Sequence, residues 1–147
     1  SVIMLDVDEF KKFNDRFGHQ VGDLVLKLVT AQCKSSLREQ DILGRLGGEE
    51  FAVALPDTSL EQAVQVATRL CKLVEDANLE EAGHLFEMET GETFDKSELK
   101  VTVSVGVAAC DETCKNIDGL MDHADRAMYS VKNTGRNRIS IWKNGEQ

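Results

Sequence analysis

A single proline, a single tryptophan and a single tyrosine in 147 residues make this chain poor in rigid breaks and in aromatic stacking groups. With no low-complexity stretch either, nothing in it reads as a disordered linker or a second domain. It has no basic tract, and a phosphate polymer needs clustered Lys and Arg, which argues against long nucleic acid as a partner. No apolar run is long enough to span a bilayer and no signal peptide opens the chain. Its cysteines, Cys33, Cys71, Cys110 and Cys114, form no C-x-x-C pair. Cys33 and Cys71 fall in helical apolar patterns and read as small core residues of a reducing compartment, so a cytoplasmic location is expected. Cys110 and Cys114 could join His84 or His123 on zinc, although no second ligand pair has a fitting spacing.

What is present points to one core and an acidic surface. Hydrophobic residues make up 41%, enough for one substantial domain spanning residues 1–147. Seventeen basic against twenty-six acidic side chains leave a formal charge of −9, which a single nucleotide held through metal ions can still satisfy.

Val2 to Val7 is a short apolar run suited to a buried central strand. Asp8 is placed to cap a helical turn from Glu9 to Arg16, which Gly18 breaks. From Gly22 to Leu37, the residues Leu24, Val25, Leu28 and Ala31 mark one helical face. Strands over 41–46 and 51–55 flank Gly47-Gly48, a pair suited to the positive φ of a tight hairpin. Thr58-x-x-Glu61 reads as a capping box for a helix striped by Leu60, Ala63, Val64, Ala67, Leu70, Cys71 and Val74. Residues 78–100, acidic and carrying Gly83 and Gly91, read as a long excursion or ragged hairpin. Residues 101–109 alternate as a strand, and 138–142 form a last one. Between them Asp118 caps a helix striped by Leu120, Met121, Ala124, Ala127, Met128 and Val131, which Gly135 stops. The order β-α-β-β-α-β-α-β contains the split β-α-β of ferredoxin-like folds. The expected class is α/β (α+β), a mainly antiparallel central sheet with helices covering one face.

Two acidic clusters stand out on this layout. Asp6 closes the first strand, and Glu49 and Glu50 follow the tip of the central hairpin. If those strands are neighbours, three carboxylates converge. Like charges about 4 Å apart repel by roughly 4 kcal/mol at an effective dielectric near 20, so such a cluster invites a cation. Hard oxygen donors favour Mg²⁺ or Mn²⁺, and Mg²⁺ commonly completes its shell with substrate phosphate.

Asp6-Val7-Asp8-Glu9-Phe10-Lys11-Lys12-Phe13-Asn14-Asp15, then Gly18-His19-Gln20-Val21-Gly22-Asp23, then Gly47-Gly48-Glu49-Glu50-Phe51, resembles the GGDEF-domain diguanylate cyclases. Val103-Ser104-Val105-Gly106-Val107-Ala108, Ala124-Asp125-Arg126-Ala127-Met128-Tyr129 and Lys132-x-x-x-Arg136-Asn137 continue the match in order. The resemblance implies a nucleotidyl-cyclase or polymerase-palm fold. It also implies the joining of two GTP molecules into cyclic di-GMP with release of two pyrophosphates. By position, Asp6, Glu49 and the carbonyl of Val7 would ligate Mg²⁺ or Mn²⁺, two ions per site, with Glu50 a further ligand. Glu49 would also help deprotonate the attacking 3′-hydroxyl. Asp8 matches the motif without being a usual ligand and reads as structural. Backbone amides at Glu9 and Phe10 suit phosphate at a helix start, and Lys11 would stabilise the transition state. Lys132 and Arg136 match late phosphate contacts. Asn14 and Asp23 match guanine-binding positions, with His19 in the same segment and Gly47 and Gly48 among the substrate-binding positions. A carboxylate accepts from guanine N1–H and its amino group together, which adenine cannot offer.

Arg38-x-x-Asp41 is separated from Gly47 by five residues; this is the offset of the family's inhibitory product site, where the resemblance implies Arg69 as a further contact. Product feedback is the regulation implied. Each domain holds one GTP while two bonds must form, so turnover implies a homodimer. The resemblance also implies a helical segment and a regulatory sensor domain ahead of the first strand, neither of which lies in this chain. The full-length protein could be membrane-attached through such segments. The stretch 78–100 is longer than the family pattern. The alternative is an inactive receptor that binds cyclic di-GMP through Arg38 and Asp41. Receptors of that kind usually carry a degraded turn motif, whereas Gly47 to Phe51 is intact.

Overall fold

An apolar strand with no polar alternation needs cover on both sides, and Val2–Val7 has it. The structure, a computed structural model, describes residues 1–144. In chain order the elements are β1 (Val2–Val7), α1 (Phe10–Phe17), α2 (His19–Ser35), β2 (Ile42–Gly47) and β3 (Glu50–Ala54). They continue as α3 (Leu60–Glu75), α4 (Glu80–Thr90), β4 (Val103–Ala108), α5 (Ile117–Lys132) and β5 (Arg138–Ile141). The five strands form one sheet in the order β2-β3-β1-β4-β5. All pairings are antiparallel except β4 with β5.

Helices cover both faces of this sheet, not the one face expected. Ile3, Leu5 and Val7 face a core shared with α1, α2, α3 and α4, while Val2 and Met4 face α5 through Leu120, Ala124 and Met128. For the same reason β4 is buried along its whole length and does not alternate. In α2 the buried line is Val21, Val25, Leu26, Val29 and Cys33; Ala31, expected inside, is exposed.

Three other local expectations give way. The capping box of α3 lies one residue later, with the Ser59 hydroxyl accepting from Gln62 N–H at 3.2 Å and Gln62 Oε1 accepting from Ser59 N–H at 3.1 Å. Thr58 is unavailable for it because its hydroxyl donates to the Pro56 carbonyl at 2.9 Å and accepts from Arg38 at 2.8 Å. Asn116, not Asp118, caps α5, its Oδ1 accepting from Gly119 N–H at 2.8 Å. The stretch 78–100 holds a helix, α4, where a hairpin or excursion was expected. Leu79, Ala82, Gly83 and Phe86 supply its inner face, a short stripe that the surrounding acids obscure.

The tightest contact between sheet and helix is at Gly106. A Cβ there would lie 1.9 Å from the Ala124 carbonyl oxygen and 2.4 Å from Met128 N, both backbone atoms that cannot swing aside. Gly106→Ala is therefore expected to lower folding stability by at least about 2 kcal/mol, measured by urea denaturation, because overpacking has no flexible side chain to absorb it.

Candidate active site

The end of β1 gathers the acids. Asp6 pairs in register with Glu50 of β3 on one side and with Ser104 of β4 on the other. Gly48, with φ 50°, and Glu49 make the β2–β3 turn, and the Glu49 carbonyl accepts the Val7 N–H at 3.2 Å. The register thus brings the backbones of all three acidic positions to the end of the central strand, while the three carboxylates expected to converge do not close into one cluster. Asp6 is on the α5 side of the sheet, and its side chain, only 8% exposed, lies 2.9 Å from the Lys132 ammonium. Burial pushes the Asp6 carboxyl above its usual range; Lys132 opposes this, and the charges of Glu49 and Glu50 add to it.

Among the described residues, no three His, Cys, Asp or Glu side chains gather closely enough to form a ready metal cluster. The zinc alternative at Cys110, Cys114, His84 and His123 therefore finds no site. The acidic end of β1 still suits a hard divalent cation. Its donors are all oxygens, its one buried carboxylate is already held against a cationic group, and both glutamates lie near enough to raise that carboxylate's proton affinity.

The start of α1 borders these acids. Glu9 opens it in a left-handed conformation with no side-chain cap. The expected Asp8 cap does not form, because the Asp8 carboxylate accepts hydrogen bonds from Thr102, Ser104 and the Asn137 amide. The first amides of α1, from Phe10 and Lys11, are left to whatever approaches the helix end. Glu9 pairs with Lys12 at 3.0 Å and with Arg136 at 3.6 Å, and these charges, Lys12 first, hold its carboxyl below the usual range. Lys11 is exposed and makes no ion pair among the described residues.

Asn14 Oδ1 is buried without a hydrogen-bond partner. It lies against Gly22, where a Cβ would come within 1.8 Å of it, so a larger residue there would have to displace the Asn14 amide. His19 and Asp23 are exposed on the first turns of α2, and Asp23 borders a cleft of about 530 Å³ with Lys27, Leu43, Arg45 and Phe51.

A second constellation lies beyond α2. Arg38 grips Asp41 with Nη2 at 2.8 Å and Nε at 3.2 Å, and the Arg38 N–H donates to the same carboxylate at 2.8 Å. The guanidinium also donates to the Pro56 carbonyl at 3.1 Å and to the Thr58 hydroxyl at 2.8 Å. Arg69 donates to the Ser36 carbonyl at 3.0 Å and adds its charge beside Asp41. Burial pushes the Asp41 carboxyl up, but hydrogen bonds from Arg38 and the charges of Arg38 and Arg69 outweigh it and hold the group below its usual range.

The model of the family described as "Diguanylate cyclase, GGDEF domain" matches residues 1–138. The chain belongs to the GGDEF diguanylate cyclase family. It is 37% identical over 144 residues to diguanylate cyclase A of Treponema denticola, covering 98% of this chain and 35% of that protein. The chain thus spans about a third of the length of that relative. Its fold is similar to the active GGEEF domain of a diguanylate cyclase from Vibrio cholerae, with TM-score 0.81, 28% identity, and coverage of 98% of this chain and 83% of that one. It is likewise similar to the GGDEF domain of DgcB from Caulobacter crescentus, solved in complex with c-di-GMP, with TM-score 0.80, 30% identity, and coverage of 95% and 75%. The palm-type architecture expected of a GGDEF domain is therefore present. Among the described residues no helix is long and apolar enough to cross a membrane.

Sequence reasoning missed the Asp6–Lys132 pair, the Gly22–Asn14 contact and the hydrogen bonds of Asp8. Only the last left a trace, as Ser104 is a polar residue inside an otherwise apolar strand.

Two pH-dependent outcomes follow from these acids. The Asp6 carboxyl is raised, so its ionised form is disfavoured in the fold, and the stability it withholds at neutral pH returns as pH falls below the ordinary carboxylate range. Asp6→Asn should unfold at higher urea than wild type at neutral pH, with the difference vanishing in acid. Asp41 is lowered, so its pairing stabilises the fold above the ordinary carboxylate range and is lost as pH falls through its own depressed range. In Arg38→Ala the Asp41 carboxyl should titrate above its wild-type position, read by carbon-13 NMR, and the stability gap to wild type should close in acid.

Proposed function

We propose that this chain is the catalytic domain of a diguanylate cyclase, condensing two GTP into cyclic di-GMP with release of two pyrophosphates. The observation that supports this reading is the register that brings the Asp6, Glu49 and Glu50 positions to the end of β1, with Lys132 2.9 Å from Asp6. Asp6, Glu49 and the Val7 carbonyl hold Mg²⁺ or Mn²⁺, two ions per site, with Glu50 a further ligand. Bound there, the ions supply neutralisation of charge on the α-phosphate and a lower pKa for the attacking hydroxyl.

The chain's own groups do the rest. Glu49 takes the proton of the 3′-hydroxyl. Amides at the start of α1 meet phosphate oxygens, and the exposed Lys11 ammonium steadies charge developing on them. Lys132 and Arg136 take the outer phosphates. Asn14, whose buried Oδ1 awaits a donor, faces guanine together with Asp23, with His19 alongside. Gly47 and Gly48 leave the turn without side chains where substrate approaches. Two such domains facing each other as a homodimer present each hydroxyl to the opposite α-phosphate, under control of a sensor domain elsewhere in the full-length protein. Arg38, Asp41 and Arg69 take the product as feedback inhibitor, and a bound guanine base there must replace the Arg38–Asp41 pairing with its own hydrogen bonds.

Incubation with GTP and Mg²⁺ at high protein concentration, followed by product chromatography, tests the reading. Wild type is expected to form the cyclic dinucleotide, and Glu49→Gln to form it at least about 100-fold more slowly, the loss typical of removing a general base. A wild type that makes none, yet binds added cyclic di-GMP tightly, would replace the enzyme with the receptor.

A further inference from the structure

Arg136 and Asn137 are consecutive non-glycine residues with left-handed backbone, φ 59° and 47°. Such a pair persists only where its surroundings hold it. Asn137 is held at three points: its N–H donates to Asp8 Oδ2 at 3.0 Å, its Oδ1 accepts from the Cys71 thiol at 3.7 Å, and its Nδ2 donates to Glu75. Asp8 is itself fixed from β4 and the residue before it. Thr102 Oγ1 donates to Oδ2 at 2.7 Å, the fully buried Ser104 donates its hydroxyl to Oδ1, and the Asp8 N–H donates to the Thr102 carbonyl at 2.8 Å. Both Asp8 oxygens are thus engaged by protein donors. One carboxylate ties β4 to the loop between α5 and β5.

That loop carries Arg136, whose guanidinium comes within 3.6 Å of Glu9 at the start of α1. The guanidinium reaches this place only if the backbone on its C-terminal side keeps its left-handed turn. The Val131 carbonyl accepts the Arg136 N–H at 3.1 Å on the helix side of that turn, and on its far side the backbone anchor is Asp8.

We propose that Asp8 is a positioning residue for Arg136, setting affinity for the outer phosphates of the nucleotide without touching it. The proposal rests on the reading of this end of the sheet as a nucleotide site. It assigns the second acid of Asp6-Val7-Asp8 to loop geometry and not to metal. Replacing it with Asn leaves a single side-chain oxygen for three donors, so the Asn137 amide or a hydroxyl loses its acceptor.

A double-mutant cycle decides the matter, with dissociation constants for a non-hydrolysable GTP analogue in Mg²⁺ and for GMP, which lacks the outer phosphates. Asp8→Asn and Arg136→Ala should each weaken the analogue at least about tenfold, while the double variant is weaker than Arg136→Ala by no more than about twofold, since the two act through one contact. GMP binding should be unchanged in all of them. Losses that multiply, or an equal loss for GMP, would mark Asp8 as an independent or merely structural group and overturn the proposal. If the analogue binds wild type and Asp8→Asn equally, the positioning role alone falls; if wild type binds neither nucleotide, the nucleotide site falls and takes this role with it. Should Asp8→Asn fail to fold, the cycle is run with Ser104→Ala, which removes one of the bonds that aim Asp8. Its expected loss of about threefold should disappear in the Arg136→Ala background.

Discussion

Asp6 and Lys132, 2.9 Å apart, join the end of the central strand to the last turn of α5. A carboxylate this deeply covered cannot remain ionised without a cation beside it. The last turn of α5 must therefore arrive at the end of β1, and the packing above it makes that possible. Leu120, Ala124 and Met128 seat the helix on Val2 and Met4, and Gly106 lets its backbone lie directly on β4. The register Asp6↔Glu50 then brings the hairpin turn to the same place. Fold and site share one set of constraints.

Much of this was legible in the sequence. The apolar run Val2–Val7, the stripe of α3 from Ala63 to Val74 and that of α5 from Leu120 to Val131 gave strands and helices of nearly the right extent. It was the resemblance to the family, and not periodicity or spacing, that assigned Asp6, Glu49, Glu50, Lys132 and Arg136 to one site. What was illegible depended on partners far along the chain. Thr58 loses its capping role to Arg38, and Asp8 loses its own to residues beyond position 100. α4 was hidden because its buried stripe contains a glycine, Gly83, that a Cβ would drive into the Phe94 ring at 2.5 Å. Propensity reads Gly83 as a breaker, while in the fold it is the place where the Phe94 ring rests on α4.

The helix α3 touches both constellations. Thr58 and Pro56, just ahead of it, receive Arg38; Arg69, midway along it, reaches Ser36; Glu75, at its end, receives Asn137. Buried along Ala63, Ala67, Leu70 and Val74, it has little freedom to shift without disturbing the larger core. The Arg38–Asp41 constellation and the loop that carries Arg136 are therefore placed against opposite ends of one packed element.

Of the four free cysteines, Cys33, Cys71 and Cys114 are buried and Cys110 alone is exposed. Burial drives the Cys33 thiol up to about 11 and raises that of Cys71, so neither yields a ready thiolate. Cys110 follows the far end of β4, whose opposite end carries Ser104 across from Asp6. A maleimide fluorophore or spin label would thus attach at one position, remote from the acids, and report on association between copies without entering the chemistry.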